Sequence, residues 1–126
     1  MSIIGIGIDI LQKKRIKKIF NKFKKKFVIK ILSNYELNQF FQEKEKINFL
    51  AKRFSIKESI SKAIGTGIRK EIKFKNIELH HNKYGKPIII FLNETKKIIK
   101  ILKIKFTHIS ITDEKKYVCT VVILER

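Results

Sequence analysis

The longest stretch of helical periodicity in this chain runs from Glu43 to Ile64. Its apolar side chains recur at helical spacing, at Ile47, Leu50, Phe54, Ile60 and Ile64. Gly65-Thr66-Gly67 follows at once and supplies the left-handed turn that ends many helices. We therefore expect this segment to form the longest helix. The chain has 126 residues, which suits one hydrophobic core, so the sequence predicts a single domain over residues 1–126.

The opening of the chain predicts a buried strand from Ile3 to Ile10, because this run is apolar and β-branched. Gly5 and Gly7 lie within the run, which indicates that another part of the protein approaches this backbone closely. Asp9 also lies there, and a buried carboxylate needs a metal, a basic side chain or backbone amides as its partner. For Asp9 taken alone, the favoured interpretation is a helix cap, since a helical stretch follows it.

Two helical regions are predicted between this strand and the long helix. Leu11–Leu32 carries apolar side chains at mostly helical spacing with lysines on the other face, which predicts one or two basic amphipathic helices. Ser33 and Glu36 form a capping-box pattern, because each side chain can accept a hydrogen bond from the backbone of the other residue. This pattern predicts a short helix that ends at about Gln42.

The second half of the chain alternates strand and helix patterns. Ile77–His80 and Ile88–Phe91 predict the two strands of a hairpin, joined by the turn residues 82–87. Asn93 is placed to cap a helix that extends to Leu102. The closing strands are predicted at Thr107–Thr112 and Tyr117–Leu124.

The charge balance is extreme, because 30 Lys and Arg residues oppose 11 Asp and Glu residues and give a net charge of +19. This charge attracts polyanions, namely nucleic acid, anionic lipid, nucleotide phosphates or an acidic protein. Charge alone does not choose among them. The lysines of the first helical region therefore fit two interpretations, a solvated helix face or a surface that docks an anionic partner.

Cys119 is the only cysteine, so no intramolecular disulfide can form, and a reducing cytoplasm fits this composition. The first residues show no basic leader followed by an apolar run, and no stretch is long and apolar enough to cross a bilayer. We expect a soluble cytoplasmic protein.

Chemically versatile side chains cluster at the end of the long helix. Glu58 and Lys62 are four residues apart and share a face, with Ser61 beside them, although the same spacing is typical of an ordinary surface ion pair. The Gly65-Thr66-Gly67 turn lets a backbone approach a phosphate, although by itself it is more typical of a helix stop. His108 lies in an apolar strand, where a lone histidine is more often a packing residue than a catalyst.

Taken in order, four motifs resemble the holo-acyl-carrier-protein synthase family over nearly the whole chain. They are Gly5–Ile10 followed by Arg15-Ile16, Arg53–Ile68, Asn82 with Gly85-Lys86-Pro87, and His108–Ile111 followed by Tyr117. The second motif, on the long helix, is the most specific. Asp113 stands where many members carry a second histidine, so the resemblance assigns no substrate contact to that position.

The resemblance implies an α+β fold in which the long helix packs on a small antiparallel β-sheet, as in phosphopantetheinyl transferases. It also implies a homotrimer with active sites between subunits. The implied activity moves the 4′-phosphopantetheine of coenzyme A onto a serine of apo-acyl carrier protein, for fatty acid biosynthesis. Adenosine 3′,5′-bisphosphate is the other product.

Under this resemblance Asp9 and Glu58 become the ligands of Mg²⁺, which takes one or two protein carboxylates and completes its shell with water and phosphate. With Lys62 they form the catalytic set, in which Lys62 stabilises the charge that builds on the phosphate oxygens. The base that deprotonates the serine is open among Glu58, Asp9 and a water held by the metal and the carboxylates, with the water favoured.

Coenzyme A and the carrier protein would bind through two further groups of residues. The expected coenzyme A contacts are Arg53, Ser61, Lys62, Gly65, Thr66, Gly85, Pro87 and His108. Arg15, Lys14 and Lys18 on the first helix are expected to dock the carrier, because such carriers are typically acidic.

A rival hypothesis is a small basic nucleic-acid-binding module, which rests on the charge and on lysines interleaved with phenylalanines. It explains neither Asp9 nor Glu58. A membrane-surface helix over residues 13–30 is a third hypothesis, although the rest of the chain has the pattern of an ordinary globular domain. We expect neither nucleic acid nor a membrane as a partner.

Overall fold

The computed structural model describes residues 2–126, which form five strands, five α-helices and one short 3₁₀ turn. In chain order the elements are β1 (Ile3–Gln12), α1 (Lys13–Phe23), α2 (Lys25–Ile31), α3 (Asn34–Gln42), α4 (Lys46–Ile64), the 3₁₀ turn (Phe74–Asn76), β2 (Ile77–His81), β3 (Pro87–Phe91), α5 (Asn93–Ile101), β4 (Phe106–Asp113) and β5 (Tyr117–Glu125). The prediction of an α+β fold built on one long helix is confirmed.

Two antiparallel sheets organise the strands. The larger sheet has the order β1-β5-β4, and β2 and β3 form a separate hairpin, as the sequence predicts. Helix α4 packs across β1 and β5 and covers one face of the larger sheet. Its buried side chains, among them Ile56 and Ile60, join Val122 and Leu124 of β5 in one part of the core. The long helix α4 is therefore the element against which the larger sheet packs.

Gly5 and Gly7 explain how closely β1 and α4 approach each other. A Cβ atom added to Gly5 would lie 1.8 Å from the carbonyl oxygen of Ala63. One added to Gly7 would lie 1.8 Å from the carbonyl oxygen of Ser59. The prediction that another backbone approaches this strand is confirmed, and the approaching element is helix α4.

Several predicted helix boundaries are confirmed and two capping interpretations are wrong. The Ser33 hydroxyl accepts from the Glu36 amide at 3.2 Å, and the Ser33 amide donates to Glu36 Oε1 at 3.0 Å, which completes the capping box. Asp9 caps no helix, because β1 continues to Gln12. Asn93 is the first residue of α5 and donates its side-chain amide to Asn76 Oδ1 instead of capping the helix.

The face of the larger sheet opposite α4 is apolar and open. Ile6, Ile8 and Ile10 of β1 are 61%, 61% and 70% exposed. Their partners across the strand pair include Ile123 and Val121, which are half-buried. Alternation along β1 therefore places glycines against the helix and isoleucines on the open face. An uncovered apolar face of this kind is typical of an interaction surface.

Candidate active site

The predicted metal ligand Asp9 meets the predicted catalytic lysine on the covered side of β1. Lys62 Nζ lies 3.2 Å from Asp9 Oδ1 and 3.0 Å from the carbonyl oxygen of Ile8. Ser55 donates its hydroxyl to Asp9 Oδ2 at 2.8 Å. The Asp9 side chain is only 14% exposed. A carboxylate at this depth requires polar partners, and Lys62 and Ser55 provide them.

A buried hydroxyl network, which the sequence reasoning missed, fixes the position of Asp9. Thr120 of β5 pairs with Asp9 across the strands, and its hydroxyl lies 2.9 Å from that of Ser55. The hydroxyl of Ser59 lies 2.5 Å from the same threonine oxygen. Ser55, Ser59 and Lys62 share a helix face at spacings of three and four residues, which is the signal that could have identified this network.

Glu58, the second predicted metal ligand, lies near Asp9. Burial raises the pKa of Glu58 above its ordinary value, and the Asp9 carboxylate raises it further. The positive charges of Lys62 and Arg15 act in the opposite direction. Two carboxylates that repel each other in a partly buried position favour a cation between them.

The donor set fits Mg²⁺ better than a metal that requires many protein ligands. Residues 2–126 contain no group of three or more His, Cys, Asp or Glu side chains placed to hold a metal. The pair Asp9 and Glu58 offers two carboxylates, which is the number Mg²⁺ commonly takes from a protein. We call Asp9, Glu58 and Lys62 the carboxylate site.

The turn after α4 borders this site, but its backbone amides are hydrogen-bonded to the helix itself. The amides of Gly65 and Gly67 donate to the carbonyl oxygen of Ser61 at 3.1 and 3.2 Å, which ends the helix. Ser61 is fully buried and donates its hydroxyl to the carbonyl oxygen of Glu58 at 2.7 Å. The space above both glycines is open, so a ligand has access to the turn. The Ser61 hydroxyl, however, is directed into the helix.

A cleft of about 570 Å³ beside the N-terminal half of α4 collects other predicted coenzyme A contacts. It is lined by Gln39, Glu43, Glu45, Asn48, Phe49, Lys52, Arg53, Leu79, His81, Gly85, Pro87, Ile109, Ser110, Ile111 and Asp113. Arg53 Cζ lies over the Phe49 ring, 3.5 Å from its centroid, and the Arg53 Nε atom has no hydrogen-bond partner among residues 2–126. The cleft therefore holds a buried cation with an unsatisfied donor.

His108 belongs to neither group. It lines a separate recess of about 510 Å³ between β3 and β4, which meets the cleft at Pro87. Its Nε2 atom lies 3.0 Å from Glu125 Oε1. One chain thus divides the predicted contacts between the carboxylate site, the cleft and this recess, and does not bring them together.

Arg53 also belongs to a buried charge cluster that the sequence analysis did not identify, since it assigned Glu36 only a capping role and Arg53 only a coenzyme A contact. Glu36 is fully buried, and its Oε1 atom lies 2.5 Å from Lys57 Nζ, while its Oε2 atom lies 3.8 Å from Arg53 Nε. Glu36 also accepts from the amide of Leu79 at 3.1 Å. Burial lowers the pKa of Lys57 to about 8 and that of Arg53 to about 10, against the raising effect of Glu36. The cluster joins α3, α4 and β2.

Helix α1 presents its predicted docking residues in two directions. Lys14 and Lys18 line a groove of about 960 Å³ together with Lys13 and Lys17. Arg15 is absent from that lining and instead lies close enough to Glu58 to lower its pKa. The structure therefore associates Arg15 with the carboxylate site and the neighbouring lysines with the groove.

Comparison with known proteins identifies the family of the chain. The family model described as the 4′-phosphopantetheinyl transferase superfamily matches residues 5–122. The chain belongs to this superfamily. The resemblance to holo-acyl-carrier-protein synthases that the sequence motifs indicate is thereby confirmed.

Similar proteins match this chain over nearly its full length. The holo-[acyl-carrier-protein] synthase of Buchnera aphidicola subsp. Baizongia pistaciae is 55% identical, with 99% of each chain covered. The crystal structure of the Neisseria meningitidis synthase has a TM-score of 0.96 at 38% identity, covering 99% of this chain and 100% of that one. The Helicobacter pylori synthase in complex with coenzyme A has a TM-score of 0.83 at 32% identity, covering 95% and 99%.

Proposed function

We propose that this protein transfers the 4′-phosphopantetheine of coenzyme A to a serine of apo-acyl carrier protein, in the service of fatty acid biosynthesis. The products are holo-acyl carrier protein and adenosine 3′,5′-bisphosphate. The full-length similarity to holo-[acyl-carrier-protein] synthases carries this proposal. The carboxylate site supports it, because it places two carboxylates and a lysine on adjoining elements.

Asp9 and Glu58 are the proposed ligands of Mg²⁺. When bound there, the ion would neutralise charge on the pyrophosphate of coenzyme A. Ser55 and the residues behind it hold Asp9 in one orientation, which is the usual role of groups that surround a metal ligand. Lys62 is 52% exposed, and its contacts with Asp9 and with the carbonyl oxygen of Ile8 both lie at the solvent-exposed edge of the site, so it is free to move to a phosphate oxygen.

The proposed nucleotide contacts require a second copy of the chain. Arg53, Gly85 and Pro87 line the cleft, whereas Lys62 and the Gly65-Thr66-Gly67 turn lie at the carboxylate site. The open apolar face of the sheet, with its exposed isoleucines, supports association between copies. We propose a homotrimer in which one subunit supplies the carboxylate site and its neighbour supplies the cleft, with His108 at the boundary.

Helix α1 is the proposed docking surface for the carrier protein. The groove lysines, including Lys14 and Lys18, lie on one side of the helix, and Arg15 lies on another side, beside the carboxylate site. An acidic carrier would be attracted to the groove lysines, and Arg15 would help to deliver its serine toward Glu58. A carrier docked on α1 would therefore lie next to the carboxylate site, where the phosphate reacts.

The alternative of a nucleic-acid-binding module gains no support from the comparisons, which match synthases over the whole chain. Among residues 2–126, no helix is both long and apolar enough to cross a membrane. We place the enzyme in the cytoplasm, in keeping with its single cysteine, Cys119.

Mass spectrometry tests the proposed activity directly. Apo-acyl carrier protein is incubated with this protein, coenzyme A and Mg²⁺, and a phosphopantetheine mass gain on the carrier is the expected result. The gain should disappear when EDTA replaces Mg²⁺ and when the acceptor serine of the carrier is changed to alanine. An unmodified carrier under all conditions would overturn the proposed function. Light scattering tests the assembly, for which we expect three times the 15.0 kDa of one chain.

A further inference from the structure

Asp113 joins three elements through two lysines. It lies at the end of β4, where its Oδ2 atom is 3.2 Å from Lys13 Nζ and its Oδ1 atom is 3.6 Å from Lys52 Nζ. Lys13 begins α1 and Lys52 lies on α4. One carboxylate therefore ties the proposed carrier helix and the central helix to the edge of the sheet.

The two ion pairs of Asp113 differ in strength. Lys13 is 17% exposed and also donates to the carbonyl oxygen of Glu114 at 2.6 Å, so it is anchored twice. Lys52 is 33% exposed, and its distance to the carboxylate is longer. Because the Lys52 contact is longer and more exposed to solvent, Lys52 dissociates from Asp113 more easily than Lys13 does.

Asp113 also stands in the wall between two recesses. It lines the cleft that contains Arg53 and, on its other side, the groove that contains the lysines of α1. Lys52 lines only the cleft, and Lys13 lines only the groove. Asp113 therefore holds one cation on each side of this wall.

The cleft has an unexpected charge balance for a chain of net charge +19. Its lining carries three carboxylates, Glu43, Glu45 and Asp113, against the two permanent cations Lys52 and Arg53. An anionic ligand that enters the cleft meets two cations, Arg53, which lies near the buried Glu36, and Lys52, which Asp113 already holds, so it competes with Asp113 for Lys52. In a partly buried site this competition changes affinity more than it would in open solvent.

We propose that Asp113 is an internal counter-ion that competes with the anionic groups of the nucleotide for Lys52, and so sets the affinity of the cleft for them. This inference rests on the proposed function, because it takes the cleft as part of the nucleotide site. In the free protein Lys52 pairs with Asp113. In the bound protein Lys52 turns to a phosphate oxygen, while Asp113 keeps Lys13.

Titration calorimetry with adenosine 3′,5′-bisphosphate tests the competition in a double-mutant cycle. Asp113→Asn should bind the probe about three- to tenfold more tightly than wild type, because Lys52 is released and a negative charge is removed. Lys52→Met should bind it more weakly. In the Lys52→Met background, the change Asp113→Asn should alter affinity by less than about twofold, since the lysine it would release is gone.

A matched control separates competition from general charge. Glu45 lines the same cleft, and Glu45→Gln also removes one negative charge from its wall. We expect Glu45→Gln to tighten binding by less than about twofold, whether or not Lys52 is present. Equal gains from Glu45→Gln and Asp113→Asn would overturn the inference, and so would a gain from Asp113→Asn that persists without Lys52.

Failure of the inference is distinguishable from failure of the proposed function. If wild type modifies the carrier but Asp113→Asn binds the probe no more tightly, the inference alone is overturned. If wild type neither modifies the carrier nor binds the probe, the proposed function fails and the inference fails with it. Thermal unfolding of each variant shows that changes in affinity do not come from loss of fold.

Discussion

Lys62 and Asp9 form an ion pair, with 3.2 Å between the ammonium nitrogen and Oδ1 of the carboxylate. The lysine is 52% exposed whereas the carboxylate is 14% exposed. An accessible pair of this kind contributes about 0–1 kcal/mol to stability. Lys62 also donates to the carbonyl oxygen of Ile8 at 3.0 Å, and because both contacts are exposed, the lysine can exchange them for a phosphate oxygen at small cost.

We predict that Lys62→Met lowers kcat about 100-fold while the KM for the carrier changes less than about twofold, because the lysine charge acts on the phosphate during transfer. The melting temperature should change little, since the lost ion pair is weak. Lys96→Met on α5 is the control and should leave both constants unchanged. Steady-state kinetics with the carrier varied would refute the assignment if KM rose at constant kcat.

Glu58→Gln should abolish transfer without weakening the metal-free fold. Burial and Asp9 raise the pKa of Glu58, so its ionised form is less favourable in the folded protein than in the unfolded chain. This cost is absent below the unfolded pKa, grows as pH rises to the raised pKa of the folded state and is constant above it, so at neutral pH the glutamine relieves it. In EDTA the variant should therefore melt at or above the wild-type temperature.

The same variant gives a test of the metal site that is independent of activity. Mg²⁺ should raise the melting temperature of wild type, because a ligand that binds only the folded state stabilises it. It should have no effect on Glu58→Gln. Glu94→Gln on α5 is the control and should keep the wild-type response. A wild-type response in Glu58→Gln would show that this carboxylate does not hold the ion.

Local sequence patterns predicted most elements of this fold. The capping box at Ser33 and Glu36 and the glycine stop at Gly65 are signals that depend on neighbours within a few residues. The Gly5 and Gly7 positions even indicated a close backbone contact, although not with which element. Asn93 failed as a cap because its amide found a partner 17 residues earlier, at Asn76.

Contacts between residues that are far apart in the sequence could not be predicted from these local patterns. Ser55 reaches Asp9 over 46 positions and Thr120 over 65 positions, and no spacing rule connects residues so far apart. The contacts of Glu36 with Lys57 and Arg53 in the core could not be predicted for the same reason. The motif resemblance supplied Asp9 and Glu58 as partners, and the fold then showed which hydroxyls and cations surround them.

Gly7→Ala should destabilise the protein by about 3 kcal/mol or more, because the added Cβ would meet the backbone of Ser59 and helix α4 would have to shift. Gly67→Asn is the matched control. Its φ is +73° in open space, and asparagine tolerates this region, so we expect a loss below about 1 kcal/mol. Urea unfolding measures both, and equal losses would show that the strand and helix do not require this contact.

Glu36→Gln should cost about 3–5 kcal/mol, because Lys57 and Arg53 would remain buried without their counter-charge. Adding Lys57→Met should recover a large part of this loss, since it removes one of the two uncompensated charges. Urea unfolding of the single and double variants measures the coupling free energy. If the two single losses simply add in the double variant, the cluster is not a coupled unit.

The proposed docking helix is the last element to test, because the structure divides its basic residues. Lys14 and Lys18 line the groove, so Lys14→Glu with Lys18→Glu should weaken carrier binding and leave the affinity for adenosine 3′,5′-bisphosphate unchanged. Wild-type carrier affinity should also fall as salt rises, since these fields are screened over roughly 8–10 Å near physiological ionic strength.

Arg15→Glu should behave differently from the groove reversals, because Arg15 lies close enough to Glu58 to influence its pKa. We expect it to lower kcat as well as carrier affinity. The control for both is Lys96→Glu with Lys100→Glu on α5, which reverses two charges on another helix. Surface plasmon resonance with an immobilised carrier measures the affinities. If the α5 reversals weaken the carrier as much as the α1 reversals do, net charge alone attracts it and α1 is not the docking surface.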